Sequence, residues 1–278
     1  MFRFLIGVAF GAAGYWAWQS FGRDLLGMGG DQETTYGGFN SNTSSFSSGT
    51  SGSSSYGTSG SSSTGSSGSA TPTGSTMGSS ESPTRRALGA LVSGDERQID
   101  LARAALLIAA EEYPDLEPRH YLDQLDRLGQ ALRARLVHES APERQIAALN
   151  ALLFGEEGFR GNEASYYDPR NSYLNQVLDR RLGLPITLAL IYVEVGRRAR
   201  LPLSGVGFPA HFLVVYEAEP RLLVDPFNCG RLLSASDCQQ LLWQAFGSSA
   251  RLEPGQLAVS PPREILARLI SNLKVAYQ

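Results

Sequence analysis

Residues 185–216 read PITLALIYVEVGRRAR (185–200) and then LPLSGVGFPAHFLVVY (201–216), and the architecture of the chain turns on that junction. Pro185 suits the first position of a helix, where its missing N–H costs no hydrogen bond. The residues after it are apolar on nearly every side as far as Glu194, so the helix is expected to be buried centrally. The pattern then changes to short β-type runs at Leu203–Val206, His211–Tyr216 and Leu222–Val224, with Glu219-Pro220 as a hairpin turn. A buried helix followed directly by antiparallel strands belongs to an α+β domain.

Upstream of this junction the sequence predicts helices. Ser93 and Glu96 read as a capping box ahead of Ile99, Leu101, Ala105, Leu106 and Ile108, with Tyr113-Pro114 as the stop. A second helix is predicted from Pro118, carrying Leu122, Leu125, Leu128, Leu132 and Leu136 on one stripe. Ser140 and Pro142 open a third, through Ile146, Leu149, Leu152 and Leu153. The stretch 158–183, GFRGNEASYYDPRNSYLNQVLDRRLG, is turn-rich and dense in aromatic and amide side chains; Asn171 is read as the cap of a helix ending near Gly183. Two more helices are predicted downstream, Ser236 to about Phe246 and Pro262 to about Tyr277.

Outside this region the composition is different. Of the 40 residues from Ser41 to Ser80, 34 are Ser, Gly or Thr, too little apolar surface to offset ordering entropy, so residues 29–84 are expected to form a disordered linker. Ahead of it, residues 4–22 carry no charge, which is borderline for crossing a bilayer. Tyr15, Trp16 and Trp18 suit a membrane–water interface, and Gly7 and Gly11 would allow close helix approach. The segment 1–28 is therefore expected to be a membrane anchor of a single-pass protein, with Arg3 weakly favouring a cytoplasmic N-terminus. A cleaved signal peptide, with small residues at 11–14, and a buried helix of the globular part are the alternatives. The remainder divides into a helical region, 85–170, and a core with C-terminal helices, 171–278.

Charge narrows the function classes. The formal net charge is −3, and residues 85–278 carry 22 basic and 23 acidic side chains, which excludes the electrostatic footprint of a nucleic-acid binder. Cys229 and Cys238 are too few for a disulfide scaffold or a four-cysteine zinc site. His120 and His138 fall on predicted helices without Cys or His at ligand spacing, so no metal is expected. Gly205, Gly207 and Pro209 read as turn residues, no phosphate-binding loop is present, and no cofactor is expected.

The candidate chemistry lies on the strands. His211 is predicted to begin one strand and Asp225 to end the next, so antiparallel pairing brings imidazole and carboxylate together. Such a pair needs a nucleophile, and a helix N-terminus such as that at Pro185 is where a thiolate would be stabilised.

The run from Asn171 to Glu217, with VDPFNCGRLL (224–233) after it, resembles the SirB-type branch of the transglutaminase-like superfamily. The similarity extends back through LARAALLIAAEEYPDLEP (101–118) and LFGEEGFRGNEASYYDPRNSYLN (153–175), covering most of residues 85–278. The resemblance implies a helical N-terminal subdomain packed on a papain/transglutaminase-like core with a small antiparallel sheet. It also implies a Cys–His–Asp triad in active members, whose second and third positions match His211 and Asp225. The cysteine slot, counted back from Leu201-Pro202, falls on Pro185. Thr187 and Cys229 are the candidate substitutes, the first a poor nucleophile and the second beyond a strand end. Two functions follow as expectations. One is a membrane-tethered, non-catalytic module acting on an unidentified protein partner. The other is an amidase- or peptidase-type hydrolase or acyltransferase using His211 and Asp225 with Thr187 or Cys229.

Overall fold

The computed structural model describes residues 82–278. Four helices come first: α1 (Pro83–Val92), α2 (Leu101–Ala110), α3 (Pro118–Arg135) and α4 (Pro142–Asn150), the last running into a π-helical turn at Ala151–Glu156. A two-residue parallel bridge joins β1 (Arg160–Gly161) to β2 (Leu182–Gly183) around α5 (Leu174–Arg180). Next come α6 (Pro185–Arg198), β3 (Leu203–Val206), β4 (Leu213–Tyr216), β5 (Leu222–Asp225) and β6 (Arg231–Leu233). The described part closes with α7 (Ala235–Phe246) and α8 (Pro262–Ala276). This is the α+β architecture expected from the junction at residues 185–216.

Helix α6 is the axis of the core. Every residue from Pro185 to Gly196 is buried, and α3 packs along it. The close approach depends on Gly129, where an added Cβ would lie 2.3 Å from Cβ of Arg198. At that contact Arg198 bridges the helices, bonding Glu194 at 2.5 Å and Asp126 of α3 at 2.6 Å. Burial of Glu194 raises its pKa, and the two arginines beside it, Arg198 and Arg197, oppose that rise.

The four strands form one antiparallel sheet in the order β3-β4-β5-β6, with Val214 opposite Val224 and Val215 opposite Leu223. Alternation along β4 explains its continuously apolar sequence. Val214 and Tyr216 face the core that contains α6, while Leu213 and Val215 face a second cluster completed by Cys238 and Leu242 of α7. Both faces are therefore covered.

Several local readings need correction. Ser93 does not open a helix: it ends α1, and Asp100 caps α2 by accepting from the Arg103 N–H at 2.9 Å. Helix α4 begins after Ala141 without a side-chain cap from Ser140. Asn171 is not a helix cap but a buried residue of a 3-10 turn ahead of α5. Helix α1, the β1–β2 bridge and β6 were not foreseen, and α1 takes in Pro83 and Thr84 from the expected linker.

Among the described residues no helix is long and apolar enough to cross a membrane, and this overturns the expected localisation as a single-pass membrane protein. The run 4–22 on which that expectation was built, and the linker as far as residue 81, lie outside the described residues.

Candidate functional site

His211 and Asp225 meet as their strands require, though His211 sits two residues ahead of β4 and not within it. Its Nε2 donates to Oδ1 of Asp225 at 2.9 Å. The His211 side chain is 11% exposed and that of Asp225 is 2% exposed, so the pair is nearly dry. Bonding through Nε2 leaves Nδ1 as the nitrogen that faces away from the carboxylate.

The carboxylate is held from several sides. Oδ1 also accepts from the Phe227 and Asn228 N–H groups, at 3.1 and 3.3 Å, because Asp225 caps the 3-10 turn Pro226–Asn228. Oδ2 accepts from the Asn228 amide at 2.6 Å. Burial pushes the Asp225 pKa up, but the facing imidazole and the Asn228 bonds outweigh it and hold the group below its ordinary value.

The backbone that presents His211 is fixed from a distance. Ala210 has φ of +60°, an unfavourable conformation for a residue with a Cβ. Arg268 of α8 holds the loop in that shape, donating to the Phe208 carbonyl at 3.0 Å and the His211 carbonyl at 2.5 Å while its guanidinium lies over the Phe212 ring. The imidazole packs edge-on to Phe227, and Phe227 in turn packs against Tyr166. Close approach of β1 to this aromatic group requires Gly161, where a Cβ would come within 2.6 Å of the Phe227 ring. Sequence reading missed Arg268, Asn228 and the Tyr166–Phe227 pair. The one visible signal was an arginine flanked by apolar residues in ILARLI (265–270).

Two clefts lie near these residues, one lined by neighbours of His211 and the other by Asp225 itself. One of about 240 Å³ lies beside the His211 loop and is lined by Gly207, Pro209, Phe212, Ser260, Glu264 and Arg268 among others. A more polar one of about 150 Å³ has Asp225 in its wall, with Asn228, Arg231, Asp237, Gln240 and Gln244.

The other candidates are placed elsewhere. Pro185 is the buried first residue of α6. Thr187 is fully buried, and its hydroxyl is committed: it accepts from the Leu184 N–H at 2.9 Å and donates to the Asn171 carbonyl at 2.8 Å. It closes the helix start as an N-cap partner does. Cys229 is exposed, in a left-handed conformation with φ of 55° just past the 3-10 turn. Cys238 is buried, and burial raises its thiol pKa to about 11. Neither Thr187 nor Cys229 is hydrogen-bonded to the imidazole, whose side-chain bond is to Asp225. His120 and His138 are exposed on the helical side, and among the described residues no group of three His, Cys, Asp or Glu is placed to hold a metal.

Comparison with known proteins accounts for this arrangement. Residues 119–271 match the family model of the transglutaminase-like superfamily. A UPF0162 protein of Xylella fastidiosa is 43% identical over 191 residues, 67% of this chain and 68% of that protein. A UPF0162 protein of Pseudomonas aeruginosa is 40% identical over 175 residues, 63% of each chain. F-box only protein 21 of Homo sapiens is 33% identical over 137 residues, which is 46% of this chain and 21% of that protein. No solved structure matches. With its α+β core, its buried central helix and its His–Asp pair beside the sheet, the chain belongs to the transglutaminase-like superfamily, alongside the UPF0162 proteins.

Proposed function

We propose that this chain is a SirB-type transglutaminase-like module that binds a protein partner at the cleft beside His211 and forms no covalent intermediate with it. The observation that carries this reading is the state of Thr187. Its hydroxyl is the reactive-type group at the start of α6, and both its donor and acceptor capacities are spent on the backbone of Asn171 and Leu184. Pro185, at the position that corresponds to the superfamily's cysteine, has no side chain able to attack a carbonyl. Cys229 sits on an exposed turn just past the 3-10 turn Pro226–Asn228 and not at a helix N-terminus.

A His–Asp pair without a nucleophile still has uses in recognition. Nδ1 of a well-oriented imidazole accepts or donates one hydrogen bond with little loss of rotamer freedom. The cleft lined by the chain neighbours of His211 offers Phe212 and Pro209 for apolar contact and Arg268 at its wall. That mixture suits an extended peptide segment better than a small anion. The match inside a much longer F-box protein supports the idea that the fold travels as a module attached to other functions.

The test has two arms on the full chain. An electrophilic acyl or thiol probe is offered to wild type and to His211→Ala. In parallel, cross-linked partners are compared among wild type, His211→Ala, Asp225→Asn and Cys229→Ser. Partners lost from the first two variants and kept by Cys229→Ser are expected. Covalent labelling that vanishes with His211→Ala would overturn the proposal in favour of a hydrolase or acyltransferase.

A further inference from the structure

The four-stranded sheet has two edges, β3 and β6, and the chain treats them differently. The segment ahead of α8 runs along β3: Ser260 donates its N–H to the Gly205 carbonyl at 2.9 Å, and its hydroxyl accepts from the Gly207 N–H at 2.9 Å. That edge is sealed. Among the described residues the β6 strand pairs with β5 alone, Leu223 opposite Leu233, Val224 opposite Leu232 and Asp225 opposite Arg231. An uncovered row of N–H and C=O groups is a template for another strand, and natural sheets blunt such edges by shortness, proline or unpaired charge. Of these, β6 keeps only its shortness. It reads Arg-Leu-Leu, and its single charge, Arg231, is cancelled by an ion pair to Asp237 in the first turn of α7. Its middle residue, Leu232, is 43% exposed. Alternation puts Leu232 on the α6 face, opposite Val224, and Arg231 and Leu233 on the α7 face. On that second face the polar cleft between β6 and α7 carries the exposed amides of Gln240 and Gln244, which have no hydrogen-bond partner among the described residues.

We propose that β6 pairs with the β6 edge of a second copy of this chain, antiparallel about a two-fold axis at Leu232, joining the two four-stranded sheets into one. Three features select a copy over a foreign strand. The antiparallel register that pairs all three residues of both edges sets Leu232 opposite itself and Arg231 opposite Leu233, so the exposed leucines cover each other across the axis. The side chains of the edge are self-complementary, as an isologous contact demands: leucine suits leucine, and the amides of Gln240 and Gln244 are donor and acceptor at once. The rim is also neutral, because Asp237 cancels Arg231, so a copy meets no like-charge repulsion and a foreign strand finds no net charge to select it. A three-residue edge falls well short of the roughly 800 Å² per partner of a standard stable interface, so the dimer is weak and concentration-dependent. The cleft lined by Gly207 and Ser260 lies at the β3 edge, on the far side of the sheet, so this surface is independent of the one assigned to a protein partner.

Disulfide trapping in the full chain tests the register. A Cys229→Ser background leaves Cys238, which is buried, as the one native thiol. There Leu232→Cys is expected to give a covalent dimer on mild oxidation, because directly opposed antiparallel residues hold their Cα atoms about 4.5–5.5 Å apart, inside the disulfide range of about 4.4–6.8 Å. Arg231→Cys and Leu233→Cys are each expected to stay monomeric alone and to cross-link when mixed. Sedimentation velocity of the wild type is expected to show a dimer that grows with concentration, and Leu232→Lys to abolish it while melting like wild type. A dimer that survives Leu232→Lys overturns the proposal, as does a disulfide formed by Arg231→Cys alone. So does a Leu232→Cys chain that stays monomeric under oxidation, which leaves the edge to a strand of another protein. Should Leu232→Lys unfold, the cross-linking arm decides by itself, since it places only a small side chain at an exposed position.

Discussion

Replacing Asp225 by Asn isolates the contribution of one buried charge, because size and shape are conserved. The carboxylate accepts four hydrogen bonds: from His211 Nε2 at 2.9 Å, from the N–H groups of Phe227 and Asn228 at 3.1 and 3.3 Å, and from the Asn228 amide at 2.6 Å. In the variant an amide oxygen can serve the three donors around Oδ1. An –NH₂ then replaces Oδ2 and faces the –NH₂ of Asn228. The His211 bond falls from a charge-assisted value of about 1.5–3 kcal/mol towards a neutral one of about 0.5–1.5, and the reversed contact costs about 1–3 more. Relief from burying a charge offsets part of this, so the net loss is expected at about 1–3 kcal/mol. Urea unfolding followed by far-UV circular dichroism reads it as a lower midpoint with unchanged slope.

The pH dependence gives a second reading of the same substitution. The folded pKa of Asp225 lies below its ordinary value, so the carboxylate's contribution is complete above the unfolded value, about 4, and is lost as pH falls through the folded one. The stability gap between wild type and Asp225→Asn should therefore hold above about pH 4 and narrow as the pH falls below it. Equal midpoints at neutral pH, or a gap that stays constant into acid, would refute the assignment of a charged, stabilising carboxylate.

Three further outcomes are expected. Thr187→Val keeps the shape but removes the hydroxyl's bonds to the Leu184 N–H and the Asn171 carbonyl, leaving these two only the long 3.4 Å bond to each other, and should lower stability by about 1–2 kcal/mol, whereas Thr187→Ser should stay within about 1 kcal/mol of wild type. Thermal melts that fail to separate the two would contradict the capping role. Gly230→Ala should cost more than about 2 kcal/mol, since φ is +74° and the new Cβ would lie 1.9 Å from Oδ1 of Asn150, which Tyr192 also binds. A melt unchanged from wild type would argue against that turn. In the native protein a disulfide exchange reagent should modify Cys229 rapidly and Cys238 only on unfolding, because Cys238 is buried with its thiol raised to about 11. Rapid reaction of two thiols in the folded chain would show that the α7 side of the sheet opens.

Much of the helical scaffold is legible because its signals are local. Pro118, Pro185 and Pro262 each stand at the first turn of a helix where the sequence places them, and α3 carries the leucine stripe read from its spacing. Strand β3 matches its predicted range, Leu203–Val206, and the continuous apolar run of β4 is explained by a sheet covered on both faces. Residues such as Ser93 misled because a hydroxyl caps a helix start or bonds back to a helix end with equal ease; here Ser93 Oγ donates to the Gly89 carbonyl at 2.6 Å. Strand β6 escaped notice because three residues, RLL, carry no periodicity of their own. It exists because Asp225 pairs with Arg231 across a turn that Asn150 grips from 80 residues away.

The amino-acid order alone determined the α+β class, the buried central helix and the meeting of His211 with Asp225, since each follows from spacing along one or two neighbouring elements. The tertiary structure decided what surrounds that pair. Arg268 reaches the His211 carbonyl across 57 residues, and Asn171 takes up the Thr187 hydroxyl across 16. Such choices depend on which polar group lies opposite once water is excluded, a quantity that no local pattern encodes.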